Sequence, residues 1–213
     1  MSAHAPDGQA PGEQPGHAPD PVELTRRWLQ RAVIGLNLCP FAKAVLAKDQ
    51  VRFVLSDATT SEALLEQLAE ELVHLREVPA AATDTTLIIH PQVLQDFLDY
   101  NDFLENADAA VQALDLEGVI QVASFHPDYQ FAGTGFDDVE NFTNRAPFPI
   151  LHLLREASVS RAVDAFPDAD AIIDRNIDTV TKLGAEGWHR LLSGADADAD
   201  PGADAATDHS DRA

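Results

Sequence analysis

One cysteine, Cys39, stands in a chain of 213 residues. That excludes an internal disulfide, and by cysteine usage the expected compartment is cytoplasmic. Cations are also scarce: 36 acidic side chains face 14 basic ones, giving a formal net charge of −22, and only three of the basic residues are lysine. Of these, 27 acids and 13 bases lie between residues 21 and 193, so the acidity belongs to the domain as well as to its ends. A surface of that sign repels phosphate backbones and anionic lipid, which argues against nucleic acid and membranes as partners. No apolar run approaches the roughly 18 residues of a membrane helix, and the start lacks the basic-then-apolar layout of a signal peptide. With one Cys and scattered His, no closed ligand set for zinc or iron is visible, so no metal and no cofactor is expected.

Pattern is missing at both ends. Residues 1–20 are rich in Pro, Gly and Ala without apolar period, and residues 194–213 alternate Ala with Asp. Neither offers enough to bury against the entropy of ordering, so both are expected to be disordered, acidic tails around a single domain over 21–193. Within the domain, Asp20 and Pro21 begin an amphipathic helix, and Pro40 can open a second through "PFAKAVLAK" with Cys39 at its N-cap. "VRFVL" (51–55), "TTLIIHP" (85–91) and "VIQVASFHP" (119–127) read as strands. Between them lie a leucine-rich helix with Thr59 and Glu62 as a capping box, and "QVLQDFLDYNDFLENADAAVQAL", read as one helix or as two pieces meeting near Tyr100 to Asp102. The order β-α-β-α-β predicts a small, mainly parallel three-stranded sheet with right-handed crossovers. An N-terminal helix pair precedes it. A helical C-terminal part follows, comprising "ILHLLREA", "SVSRAVDAF" and a helix closed by Gly184. Residues 128–149 carry Gly, Asn, Pro and aromatics without period; loops of that length are usually functional or disordered, and the four aromatics Tyr129, Phe131, Phe136 and Phe142 argue for a packed one.

Candidate site residues gather around these elements. His90 and His126, each followed by Pro, end two strands at the edge where open parallel sheets bind ligands; each could equally hydrogen-bond a neighbouring loop. Asn144 and Arg145 precede two prolines, and Arg145 suits a carboxylate or phosphate, or else an ion pair pinning the loop. His152 and Glu156 are four apart on the expected helix, with Arg155 adjacent, a spacing that suits a metal pair but supplies too few ligands alone. Cys39, two residues after Asn37, would meet free N–H groups if it capped a helix, which favours thiolate; Leu36, Leu38 and Phe41 around it favour a buried thiol instead.

The segments "GLNLCPFA", "TTLIIHPQVLQDFLDYNDFL", "QVASFHPDYQFAG" and "NFTNRAPFPILHLLREASV" resemble an uncharacterised, mainly bacterial family, domain of unknown function 1415, over about 28–188. That resemblance implies a shared fold and site and transfers no catalytic role. "CPFAKAVLAKDQVRFV" is similar to the Cys-Pro-Phe-Ala, helix, strand segment of omega-class glutathione transferases, which implies a thioredoxin-like fold with the cysteine at a helix start. Two readings therefore stand. In one, an enzyme acts on a small anionic metabolite, with Cys39 as nucleophile, His126 as base, and Asn37, Asn144, Arg145, His90, His152 and Arg155 binding substrate. In the other, the same residues hold a non-catalytic ligand-binding or interaction module together. Oligomeric state is left open by the sequence.

Overall fold

A computed structural model describes residues 20–165 and 171–193. Apart from Asp20, the expected tails at 1–20 and 194–213 lie outside the described residues. The Asp20 carboxylate caps helix α1 (Pro21–Trp28), accepting from the Val22 N–H at 3.1 Å. The helix then widens into a π-helical stretch, Leu29–Ile34. The Gly35 N–H reaches back five residues to the Gln30 carbonyl at 3.0 Å, and a Cβ on Gly35 would collide with the Arg31 carbonyl oxygen. Only glycine fits this close backbone approach.

The expectation that Cys39 caps a helix is corrected here. Helix α2 (Ala42–Ala47) begins three residues later, with Phe41 as its N-cap. The N–H groups of Leu38 and Cys39 both return to the Val33 carbonyl, at 2.9 and 3.3 Å, so the cysteine backbone closes the preceding helix. Pro40 and Phe41 form a turn in which the Cys39 carbonyl accepts from Ala42 N–H at 3.2 Å. Strand β1 (Val51–Leu55) follows, then α3 (Ser61–Glu77), β2 (Thr85–Ile89), α4 (Phe97–Ala113) and β3 (Ile120–Phe125). Thr60, one residue after the expected position, caps α3. Asp96 caps α4, which runs unbroken through Tyr100 to Asp102.

The C-terminal part holds the main departure from expectation. "ILHLLR" is a strand, β4 (Ile150–Arg155), and the sheet has four strands in the order β1-β2-β4-β3. β1 and β2 are parallel; β4 lies antiparallel between β2 and β3, so β1, β2 and β3 all point one way. A six-residue segment with four apolar residues is ambiguous between buried strand and helix by periodicity alone. Tertiary context decides it, because β4 pairs along its length with the free edges of both β2 and β3. His152 and Glu156 are consequently not on one helix face: His152 is mid-strand and Glu156 opens α5 (Glu156–Asp164). α6 (Ala171–Ser193) breaks at Gly184 (φ 65°, ψ 173°), where closure was expected, and then resumes.

Helices cover both faces of the sheet. α3 and α4 seal one with Leu64, Leu68, Leu72, Tyr100 and Phe103 against Ile88, Leu151 and Leu153. α1, its π-helical extension and α6 cover the other with Trp28, Leu29, Val33, Val180 and Trp188 against Leu87, Ile89 and Ile150. Alternate residues of β2 and β4 thus enter opposite cores, and all five β2 residues are buried. No helix among the described residues is long and apolar enough to cross a membrane.

Candidate functional site

Most of the residues singled out in the sequence separate into two places, one beyond the carboxyl ends of β2 and β3 and one in a cavity on a face of the sheet, and Asn37 belongs to neither. At the carboxyl ends of β2 and β3 lie His90, His126, Asn144 and Arg145, all committed to holding loops. His126 is fully buried. Its Nδ1 accepts from Asp128 N–H at 3.0 Å, so its proton sits on Nε2, which donates to the Leu94 carbonyl at 3.3 Å. Desolvation lowers its pKa, and neither ring nitrogen is spare for a substrate proton. His90, also fully buried, donates from Nδ1 to the Val93 carbonyl at 3.0 Å and stacks on Tyr100 at 5.7 Å. Burial pushes its pKa down to about 4, and its Nε2 has no partner among the described residues.

Asn144 donates to the Ser124 carbonyl at 3.2 Å. Arg145 binds two loop carbonyls, Tyr129 at 3.3 Å and Phe136 at 2.6 Å, and lies over the rings of Phe136 and Phe142. Burial lowers its pKa from the ordinary guanidinium value. The long loop is thereby packed, and its central organiser is a residue that sequence reasoning missed, Asn141. Fully buried within the 3-10 helical segment Val139–Asn144, Asn141 accepts from Phe131 N–H and Thr134 Oγ1 and donates to the carbonyls of Gly135 and Phe136. Asn37 is exposed, in a left-handed turn at φ 55° that asparagine tolerates well, beyond the π-helical stretch.

The second place is a cavity of about 570 Å³ on the sheet face covered by α1, roofed by the π-helical stretch, α2 and α5. Trp28, Val33, Leu87, Phe125, Leu154 and Val159 give it an apolar wall. Cys39, His152 and Arg155 also line it; His126, His90, Asn37, Asn144 and Arg145 do not. The structure therefore separates the Cys39–His126 pair expected as nucleophile and base. Polar lining residues cluster where β2 and β3 begin and β4 ends: Asp84, Thr85, Gln121, Arg155, Ser158 and Arg161. Arg155 ties down the segment before β2, donating to the carbonyls of Val78 at 2.6 Å and Thr83 at 3.0 and 3.2 Å. Burial lowers its pKa and the nearby Asp84 carboxylate raises it, burial being the stronger effect. Ser158 Oγ donates to Asp84 at 2.6 Å and accepts from Arg161 at 2.9 Å.

Within the cavity, His152 has a fixed orientation. Its Nε2 lies 2.7 Å from Thr85 Oγ1, whose own proton goes to the Leu153 carbonyl at 2.6 Å. Desolvation pushes the His152 pKa down to about 4, so the ring is neutral at pH 7. Among the described residues no group of three or more His, Cys, Asp or Glu is placed to hold a metal ion.

A family model described as "Protein of unknown function (DUF1415)" matches residues 20–190, which take in every described element up to the last three residues of α6. The chain belongs to this family. The match includes both the loop-holding histidines and the cavity, so both are features of the family-matched domain. No curated protein and no solved structure matches the chain. The omega-class transferase likeness requires a strand before Cys39. The described segment there is helical, and the cysteine precedes its short helix by three residues.

Of the cavity's polar set, Asp84, Thr85, Gln121, Ser158 and Arg161 were missed from sequence. They come from the starts of β2 and β3 and from α5, and no spacing links them until β4 is placed between β2 and β3.

Proposed function

We propose that this protein binds a small amphipathic anion in the cavity between the sheet and α2 and α5, with an apolar body against Trp28, Phe125 and Val159 and an anionic group toward Arg155 and Arg161. The observation that carries this reading is the charge of the cavity's polar end. In a chain of net −22, the lining holds Arg155 and Arg161 against one carboxylate, Asp84. The guanidiniums are not used up by protein: Nη1 of Arg155, and Nε and Nη1 of Arg161, have no hydrogen-bond partner among the described residues. The volume, about 570 Å³, falls in the range of small-ligand sites, where apolar walls supply affinity and a few polar groups fix orientation. Each buried methylene of such a ligand adds about 0.8 kcal/mol.

The test is a titration with the fluorescent anion 8-anilinonaphthalene-1-sulfonate, in competition with decanoate. Saturable binding displaced by decanoate is expected. It should be abolished by Ala123→Phe, which fills the cavity from its floor, and weakened about fivefold by Arg161→Glu, the equivalent of about 1 kcal/mol for an exposed charge. Binding that survives Ala123→Phe, or no saturable binding at all, sinks the proposal.

A thiol-enzyme reading keeps one observation in its favour: Cys39 is half-buried and lines the same cavity as His152. Iodoacetamide labelling of the folded protein separates the two. Labelling that decanoate slows places the thiol at the ligand site; a thiol that reacts only after denaturant is a packing residue.

A further inference from the structure

We infer that His152 selects ligands carrying an N–H or O–H group on the apolar body, so that the cavity's ligand class is carboxylic acids with an internal hydrogen-bond donor. This rests on the amphipathic-anion reading and deepens it. The Thr85 hydroxyl has one proton, and the Leu153 carbonyl, which can only accept, takes it at 2.6 Å. Toward His152, Thr85 Oγ1 therefore presents a lone pair, and the 2.7 Å contact requires the imidazole proton on Nε2. Nδ1 is left as an unprotonated acceptor with no partner among the described residues, on a ring that lines the cavity.

None of the residues against the ring donates to Nδ1 in the structure. His152 sits mid-strand, paired with Leu87 on one side and Ala123 on the other, and both of those also line the cavity with apolar side chains. The Thr85 hydroxyl is already engaged, and Ser158 gives its proton to Asp84. Phe125 lies against the ring at 5.9 Å and offers no donor. A purely aliphatic acid filling the site would strip water from Nδ1 and return nothing, whereas a ligand N–H or O–H at that depth completes it. The cost asymmetry of an unmade buried hydrogen bond makes this a selectivity element. Thr85 acts as a positioning residue: by accepting from Nε2 it keeps the lone pair, and not the proton, facing the ligand.

The experiment compares indole-3-acetate with 1-benzothiophene-3-acetate, which keeps the bicyclic shape and carboxylate but replaces N–H with sulfur. Wild-type protein should bind the indole acid about fivefold to tenfold more tightly, the return of one hydrogen bond in a dry site. In His152→Phe that preference should disappear while the sulfur analogue still binds. Thr85→Val should reduce the preference, and Thr85→Ser should restore it. Nitrogen-15 NMR on the unmutated chain gives a reading independent of variant folding. The His152 ring should carry its proton on Nε2, and its Nδ1 resonance should move with the indole acid and not with the sulfur analogue. Equal affinities in wild type, a preference that persists in His152→Phe, or a proton found on Nδ1 overturns the inference and leaves the cavity reading standing. Failure of both acids to bind also overturns it; the dye titration then reports whether the cavity reading falls too.

Discussion

Acid should destabilise this fold well above the pH at which carboxylates titrate, because it holds neutral imidazoles out of bulk water. Burial pushes His90 and His152 from the ordinary 6.5 down to about 4. A group whose folded pKa lies below its unfolded one contributes stability that is complete above the unfolded value. That contribution is lost as pH falls toward the folded value, since the unfolded chain binds the proton first. At about pH 5.5, where carboxylates have barely begun to protonate, linkage assigns each histidine a loss of about 1.4 kcal/mol relative to pH 8, and the pair about 3 kcal/mol. His126, shifted in the same direction, adds to the loss. The geometry supplies the cause: a second proton on His90 would enter a site without an acceptor, and one on His126 Nδ1 would face the Asp128 N–H. Urea unfolding at several pH values between about 8 and 5.5 measures the effect, and His152→Gln should remove one histidine's share of the slope. Stability that is flat over this interval, or a slope unchanged in His152→Gln, refutes the reasoning.

Gly35→Ala should cost about 1–3 kcal/mol, read by denaturant midpoint, because the added methyl meets the Arg31 carbonyl in the π-helical turn. The same change should weaken dye binding, since Leu29 and Val33 of that stretch form part of the cavity wall. Asn141→Ala should cost about 2–3 kcal/mol by removing the side chain that makes four hydrogen bonds to the long loop, and thermolysin should then cut within 128–149. Tyr100→Phe should cost about 1–2 kcal/mol through the lost hydrogen bond to the Ile150 carbonyl, leaving ligand affinity unchanged because Tyr100 lies on the far face of the sheet.

Local signals in the chain were sufficient for the three co-directional strands, the Asp20 and Pro21 helix start and the packed character of the 128–149 loop. Each depends on residues adjacent in sequence. What depends on partners distant in sequence was not legible. "ILHLLR" carries leucines that suit a helix, and only the two open strand edges beside it make it a strand. That one element relocates His152 from a helix to the cavity floor and brings Arg155 and α5 beside Asp84. The carboxyl-end histidines followed the general rule for open parallel sheets, but an antiparallel strand between β2 and β3 removes the premise of that rule. Their ring nitrogens are spent on backbone, apart from His90 Nε2.

Mapping decanoate onto the folded protein through methyl and amide NMR shifts distinguishes ligand in the cavity from ligand at the loop-capped carboxyl edge. The shifted signals should cluster on Leu87, Ala123, Leu154, Val159 and Ala162, with the indole of Trp28 among them. Shifts confined to 90–97 and 126–145, around His90, His126 and Arg145, would contradict the cavity reading.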